Sequence, residues 1–353
     1  MASVRRRHFG SERSDWPPNP KIPLLGRSTA FGCHDGSYNY ESEHSPPSHF
    51  GAAHCCTSSA RAHSRLASTA STPHLAHYHS ERRLEIVIGA IAGDVIGSIY
   101  ERYRIKTKEF PLFDWRCHFT DDTILTVAVA DVLLHGGSYV DRFRQYYSRY
   151  PDAGYGGTFH GWARSSDPKP YNSFGNGSAM RVSPVAWAFD QIDQVRREAI
   201  RSAEVTHNHP EGIKGAEAAA AAVFLARAKA SRNEFRLYIE REFGYDLSQT
   251  PDEIRPDYEF DVTCQGTVPA ALSSFLHSDD FEDAVRNAVS LGGDSDTLAC
   301  ITGAIAGAYY GVPPHIEQEV SSRLDDPLRS VTQQFTDRFV APRRRRKWLR
   351  GLL

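Results

Sequence analysis

Gly89, Gly93 and Gly97 recur at every fourth position of an apolar stretch, and Gly303, Gly307 and Gly311 repeat the spacing towards the other end of the chain. On an α-helix this spacing lines each trio along one face. Glycine inside a helix costs roughly 1 kcal/mol relative to alanine, so a stripe of three asks for compensation. Close approach of a neighbouring helix would supply it. Both segments are therefore expected to be helices at the centre of a domain, each packed tightly against a neighbour. A membrane dimerisation face uses similar spacing, but the apolar stretches 86–100 and 298–312 are too short to span a bilayer, and Asp94 interrupts the first.

From residue 84 onward the helical period dominates. Residues 124–134, 140–150, 179–189, 192–205, 211–230, 268–276, 281–289, 297–310 and 327–339 all place apolar side chains three and four apart. Alternating strand patterns bounded by turns are missing, which predicts an all-α domain rather than a βαβ or sandwich architecture. Residues 1–83 hold nine of the sixteen histidines, many Ser and Pro, and no apolar run, and read as a disordered extension. Arg5, Arg6 and Arg7 faintly resemble an organelle transit peptide, but Glu12 and Asp15 and the lack of an amphipathic helix weigh against it. The predicted organisation is an extension over 1–83, a catalytic body over 84–341 and a basic tail over 342–353.

The net charge of −2 hides an uneven distribution. The extension carries +4 and the cluster of Arg343 to Arg346, Lys347 and Arg350 carries +6, which leaves the body at −12. An acidic body disfavours a nucleic-acid groove and suits a protein that holds divalent cations. The basic end, with Trp348, reads as a solvated tail. Six cysteines with no C-x-x-C pair and no histidine at zinc-finger spacing indicate unpaired thiols in a reducing compartment. A cytoplasmic protein with no membrane span is expected.

Two acidic clusters, Thr120-Asp121-Asp122-Thr123 and Asp294-Ser295-Asp296-Thr297, each immediately precede a long apolar helix. One such cluster alone is most simply a helix cap with a favourable dipole interaction. Two of them change the balance. Four carboxylates and flanking hydroxyls, with no Cys or His among them, match magnesium, manganese or calcium rather than zinc. Gly292-Gly293 would let the backbone turn so that Asp294 and Asp296 point at one place. Gly and Asn are dense over 154–157 and 172–178, where free backbone N–H groups could cradle an anion. The D-x-D-x-T string at 294–297 also opens phosphohydrolases of the haloacid-dehalogenase type. Those place it at the end of a buried strand, whereas an amphipathic helix over 284–290 precedes it here.

Five ordered blocks resemble the ADP-ribosylglycohydrolases, a family that includes the dinitrogen-reductase-activating glycohydrolases. They are Gly89-Ala-Ile-Ala-Gly-Asp-Val-Ile-Gly-Ser-Ile-Tyr-Glu101, Phe119-Thr-Asp-Asp-Thr123, Phe174-Gly-Asn-Gly-Ser-Ala-Met-Arg181, Thr206-His-Asn-His-Pro-Glu211, and Gly292-Gly-Asp-Ser-Asp-Thr-Leu-Ala299 running into Gly303. The resemblance covers essentially all of residues 86–312. The resemblance implies a compact orthogonal helical bundle with two Mg²⁺ or Mn²⁺ ions held by Thr120, Asp121, Asp122, Asp294, Asp296 and Thr297. It further implies that Glu101 belongs to a loop able to approach the metals, and that Glu101, Asp121 and Asp122 are the candidate catalytic acids. Gly156, Gly157, Ser173, Phe174, Gly175, Asn176, Gly177 and His207 would line an ADP-ribose cleft, with Phe174 a stacking surface.

For His209 a turn before the helix is the preferred reading, for Asp94 support of the ligand shell or capping of a neighbouring helix rather than direct metal binding, and for Arg181 a core ion pair stands equal to ligand contact. The expected activity is hydrolysis of the bond at the ribose anomeric carbon, by a monomer acting on an ADP-ribosylated protein or a small ADP-ribose derivative. The alternatives are an ADP-ribose-binding protein of the same fold without catalysis and, behind it, the phosphohydrolase.

Overall fold

The two glycine stripes pack against each other. Helix Ile88–Gly97 lies antiparallel to helix Ser295–Tyr310, so that Gly89 meets Gly303 and Gly307 while Gly97 meets Ser295 and Asp296. No side chain would fit between them: a Cβ built on Gly93 would stand 1.8 Å from the Ala299 carbonyl oxygen, and one on Gly303 would stand 2.3 Å from the Gly89 oxygen. Gly311 departs from the expected stripe. It caps the C-terminus of its helix with φ 85°, a left-handed conformation that glycine adopts without a Cβ penalty.

The computed structural model describes residues 87–339; the expected extension over 1–83 and basic tail over 342–353 lie outside the described residues. Fifteen helices and no strand occur among them, the only ladder-like contact being an isolated bridge between Gly175 and Thr263. The fold is all-α. Helix Ser295–Tyr310 is its axis, surrounded by Ile88–Gly97, Pro210–Arg227, Cys264–Leu276 and Phe281–Ser290. Pro210–Arg227 carries Ala218 to Ala222 in full burial, small side chains that let the central helices approach. No helix among the described residues is long and apolar enough to cross a membrane.

Some elements differ from the periodicity. The helix expected over 179–189 is two short ones, Gly177–Met180 and Val185–Ala188, because Pro184 lacks an N–H and disfavours helical backbone at Ser183. Helices Gly157–Arg164, Arg232–Phe243, Pro251–Ile254 and Pro314–Arg323 were not expected. Two of these carry capping boxes, Ser231 with Glu234 and Thr250 with Glu253, a pattern visible in the sequence. Before the second acidic cluster stands helix Phe281–Ser290, so the strand that the dehalogenase-type reading needs is replaced by helix.

Candidate active site

One ten-residue helix positions both acidic clusters. Asp94 projects from Ile88–Gly97, fully buried, and its carboxylate accepts from the Thr120 N–H (2.9 Å), the Thr120 hydroxyl (2.7 Å), the Thr123 N–H (3.0 Å) and the Thr123 hydroxyl. These are donors at the start of helix Asp121–His135, so Asp94 caps that helix from outside, the charge-assisted arrangement that a helix N-terminus favours. One turn on, the bare face of Gly97 lets Ser295 and Asp296 approach. Thr120 is the N-cap, accepting from the Asp122 N–H at 3.2 Å while donating to Asp94.

The second cluster turns in after Gly292, whose φ of 70° is open to glycine and strained for other residues. Asp294 is the N-cap of helix Ser295–Tyr310, and Asp296 and Thr297 lie in its first turn. The Asp294 carboxylate accepts from the Asn176 amide at 2.7 Å, and the same amide donates to Thr267 at 3.0 Å. Asn176 thereby ties the 172–178 loop to the acidic centre; its partner Thr267, on helix Cys264–Leu276, had no mark in the sequence. The clusters touch where the Thr297 hydroxyl donates to Asp122 at 3.2 Å. Asp122 Oδ1 is buried with no hydrogen-bond partner among the described residues. Oxygens of Glu101, Asp294 and Asp296 lie within 4.8 Å of one another, near enough to share one cation.

So many carboxylates in one place perturb each other. Burial first, then the charges of Asp94 and neighbouring aspartates, hold Asp121 and Asp122 well above the usual carboxylate range. Burial and then Asp294 do the same to Asp296. Glu101, half-buried at the edge, is raised by burial and by Asp294. Such an assembly calls for protons or cations.

These groups form the floor of a cleft of about 1160 Å³. Its walls include Glu101, Gly156, Gly157, Ser173, Gly175, Gly177 and His207, so the loops read as anion cradles meet the acidic residues across one space. Gly156 and Gly157 stand at the start of helix Gly157–Arg164 with nothing within 4 Å of a notional Cβ. Ser173 Oγ accepts from the Gly175 N–H at 3.1 Å and shapes the turn. Phe174 is not part of the cleft wall; its ring is 45% exposed and leans on His209. His209 is the N-cap of helix Pro210–Arg227 and accepts from the Glu211 N–H. Arg181 lines the cleft but makes no ion pair among the described residues, so the core ion pair allowed by the sequence is not formed. Arg102, Arg149 and Tyr171 also line the cleft. They carry no spacing signal and were not anticipated.

The sequence profile of the ADP-ribosylglycohydrolase family matches residues 76–348. The chain is 29% identical over 304 residues to ADP-ribosylhydrolase ARH3 of Homo sapiens, across 64% of this chain and 84% of that protein. It is 25% identical over 301 residues to ADP-ribosylarginine hydrolase Tri1 of Pseudomonas putida (strain GB-1), across 73% of this chain and 78% of that one. A solved structure described as an ADP-ribosylglycohydrolase-related protein complex superposes with a TM-score of 0.56 at 26% identity, covering 72% of this chain and 97% of that chain. A profile match through the whole described domain, with both acidic clusters inside it, makes this chain a glycosidase-type hydrolase that belongs to the ADP-ribosylglycohydrolase family.

Proposed function

We propose that this enzyme removes ADP-ribose from a modified acceptor by hydrolysing the bond at the ribose anomeric carbon, with two Mg²⁺ or Mn²⁺ ions in the acidic centre. The observation that carries this reading is the unpartnered, buried Oδ1 of Asp122 among carboxylates that repel one another, on the floor of a cleft large enough for a dinucleotide-sized ligand. The donor set fits hard cations, since Thr120, Asp121, Asp122, Asp294, Asp296 and Thr297 offer only oxygen. With its proton given to Asp94, the Thr120 hydroxyl keeps a lone pair available. When bound, the ions supply an acidified water and a clamp for vicinal ribose hydroxyls.

The remaining steps belong to the chain. N–H groups of Gly156 and Gly157, at a helix N-terminus, and of Gly177 receive the negatively charged diphosphate. Asn176 holds Asp294 in register. Water oxygen bonds to the anomeric carbon as the bond from that carbon to the acceptor breaks, and the acceptor leaves with a proton. Glu101, raised towards neutrality and at the edge of the cluster, is placed to take the water's proton and pass one to the leaving group. Asp121 and Asp122 hold the floor in its charged geometry.

The human relative is named an ADP-ribosylhydrolase and the bacterial one an ADP-ribosylarginine hydrolase. A panel of acceptors carrying ADP-ribose on arginine, on serine, on nucleic acid or as a small derivative tests the reading and identifies the linkage. Release is expected from at least one, falling at least about 100-fold when a chelator strips divalent ions and recovering with Mg²⁺ or Mn²⁺. Tight ADP-ribose binding with no release from any linkage would favour a binding protein of this fold instead.

A further inference from the structure

Arg181 is the largest fully buried side chain of the described domain, and it makes no ion pair there. Its guanidinium lies over the Phe143 ring, 4.4 Å from the centroid. One nitrogen, Nη2, donates to the Ser202 carbonyl at 3.0 Å and to Thr206 Oγ1 at 2.8 Å. Nε and Nη1 have no partner among the described residues. Burying a cation in this way is costly, and the core would be better served by an apolar side chain unless the charge acts on something nearby. What it acts on is the next group in line, because Thr206 Oγ1 lies 2.7 Å from His207 Nδ1.

Proton counting fixes the direction of that line. A guanidinium has donors only, so the Thr206 oxygen must accept from Arg181. The hydroxyl then has one proton to place, with two acceptors on offer: the Ala203 carbonyl at 3.5 Å and His207 Nδ1 at 2.7 Å. The shorter contact is a full hydrogen bond and the longer one is marginal. Nδ1 therefore accepts, and a neutral imidazole must carry its proton on Nε2. The opposite tautomer would turn Nδ1–H onto Thr206 and leave the hydroxyl proton with only the 3.5 Å contact. Burial, and then the charge of Arg181, hold His207 well below the usual imidazole value, so the ring stays neutral. Nε2 has no partner among the described residues and looks past Gly177, where a notional Cβ would stand 3.3 Å away, into the cleft.

We propose that Arg181, acting through the Thr206 hydroxyl, locks His207 in the Nε2–H tautomer, so that the cleft wall presents a permanent neutral donor to a phosphate or ribose oxygen of the ligand. Arg181 is then a positioning residue that acts on the ligand through Thr206 and His207. The proposal rests on the reading that the cleft holds ADP-ribose. A neutral donor suits a site beside divalent cations, since an imidazolium would be repelled by them and would compete for the aspartates.

The test begins with the free full chain labelled with ¹⁵N-histidine, at pH 7.5, where long-range ¹H–¹⁵N correlations report which ring nitrogen carries the proton. His207 is assigned by the signals lost in His207→Gln. A protonated Nε2 and a bare Nδ1 are expected. In Thr206→Val and Arg181→Met the two nitrogens should move towards averaged shifts, and ADP-ribose should bind roughly ten-fold more weakly, the loss of about one well-placed hydrogen bond. Thr206→Ser should restore both readouts, which a merely structural role would not link. A proton on Nδ1 in the unaltered protein, or unchanged shifts and affinity in folded Arg181→Met, would overturn the proposal. If Arg181→Met does not fold, the unaltered chain and the Thr206 pair decide. Failure of the unaltered chain to bind ADP-ribose would count against the function reading alone, because the tautomer is read without ligand.

Discussion

Gly93→Ala is expected to lose at least about 4 kcal/mol of stability, which in a domain of this size lowers the melting temperature by roughly 10 °C and leaves little soluble protein at 37 °C. The added methyl would stand 1.8 Å from the Ala299 oxygen, 2.3 Å from its carbonyl carbon and 2.7 Å from the Cys300 nitrogen. All three atoms are backbone in the middle of helix Ser295–Tyr310, so no side chain can swing away and relief requires parting the two central helices. Parting them opens space beside Ala299 and Cys300, which are fully buried, and adds a packing loss to the steric one. Gly161→Ala is the control. That glycine is also inside a helix, Gly157–Arg164, but has nothing within 4 Å of its notional Cβ, and there alanine should stabilise by about 0.5–1 kcal/mol. Calorimetry on the pair separates the explanations. If Gly93→Ala melts within about 1 kcal/mol of the unaltered protein, the backbone contact is not what the stripe is for.

The same interface joins stability to chemistry. Gly97 sits where the helix passes Ser295 and Asp296, and Asp94 one turn earlier grips Thr120 and Thr123. A shift of helix Ile88–Gly97 would therefore move the two acidic clusters relative to each other. The glycine face and the buried aspartate on one short helix serve one end: they bring two segments more than 170 residues apart in sequence to within a hydrogen bond, the Thr297 to Asp122 contact.

Much of this was readable from local rules. Glycines at every fourth position declare that a helix needs a close neighbour, and an aspartate pair before an apolar run declares a helix start. Neither says which neighbour, so the antiparallel pairing of the two stripes emerged only in the fold. Gly311 fits the spacing yet ends the helix, because period alone cannot distinguish a packing glycine from a C-cap. Apolar periodicity runs unbroken across Pro184, and it concealed the break that Pro184 imposes. Helix Gly157–Arg164 begins at Gly156 without a side-chain cap, in a stretch whose glycines read as loop. Thr206 and Thr267 matter through the hydrogen bonds of one hydroxyl each, which leave no periodic trace.

Asp122→Asn should reduce ADP-ribose release at least about 1000-fold while making the metal-free protein more stable, and the opposition of these signs is the informative part. Asp122 is 2% exposed, accepts the 3.2 Å bond from Thr297 on one oxygen and, among the described residues, has no partner on Oδ1. Burial and the charges of Asp94 and Asp121 hold it well above the usual carboxylate range. A carboxyl raised in the folded state binds its proton more tightly there than in the unfolded chain. Folding is then favoured at low pH, and stability falls as pH rises from the ordinary carboxylate value through the raised one. Metal-free protein should therefore melt lower at pH 8 than at pH 5.5, provided acid has not yet broken ion pairs elsewhere.

Mg²⁺ or Mn²⁺ should reverse that trend, since cations compete with protons for the same oxygens and gain most where the carboxylates are ionised. The amide of Asp122→Asn keeps the shape, removes one charge from the cluster and flattens both dependences. Its metal-free form should melt about 2–4 °C higher at pH 8, the change that roughly 1 kcal/mol produces in a domain of this size. A melting temperature in the unaltered protein that is indifferent to both pH and divalent ions would mean the carboxylates already neutralise one another with shared protons, and the centre would not be a cation site.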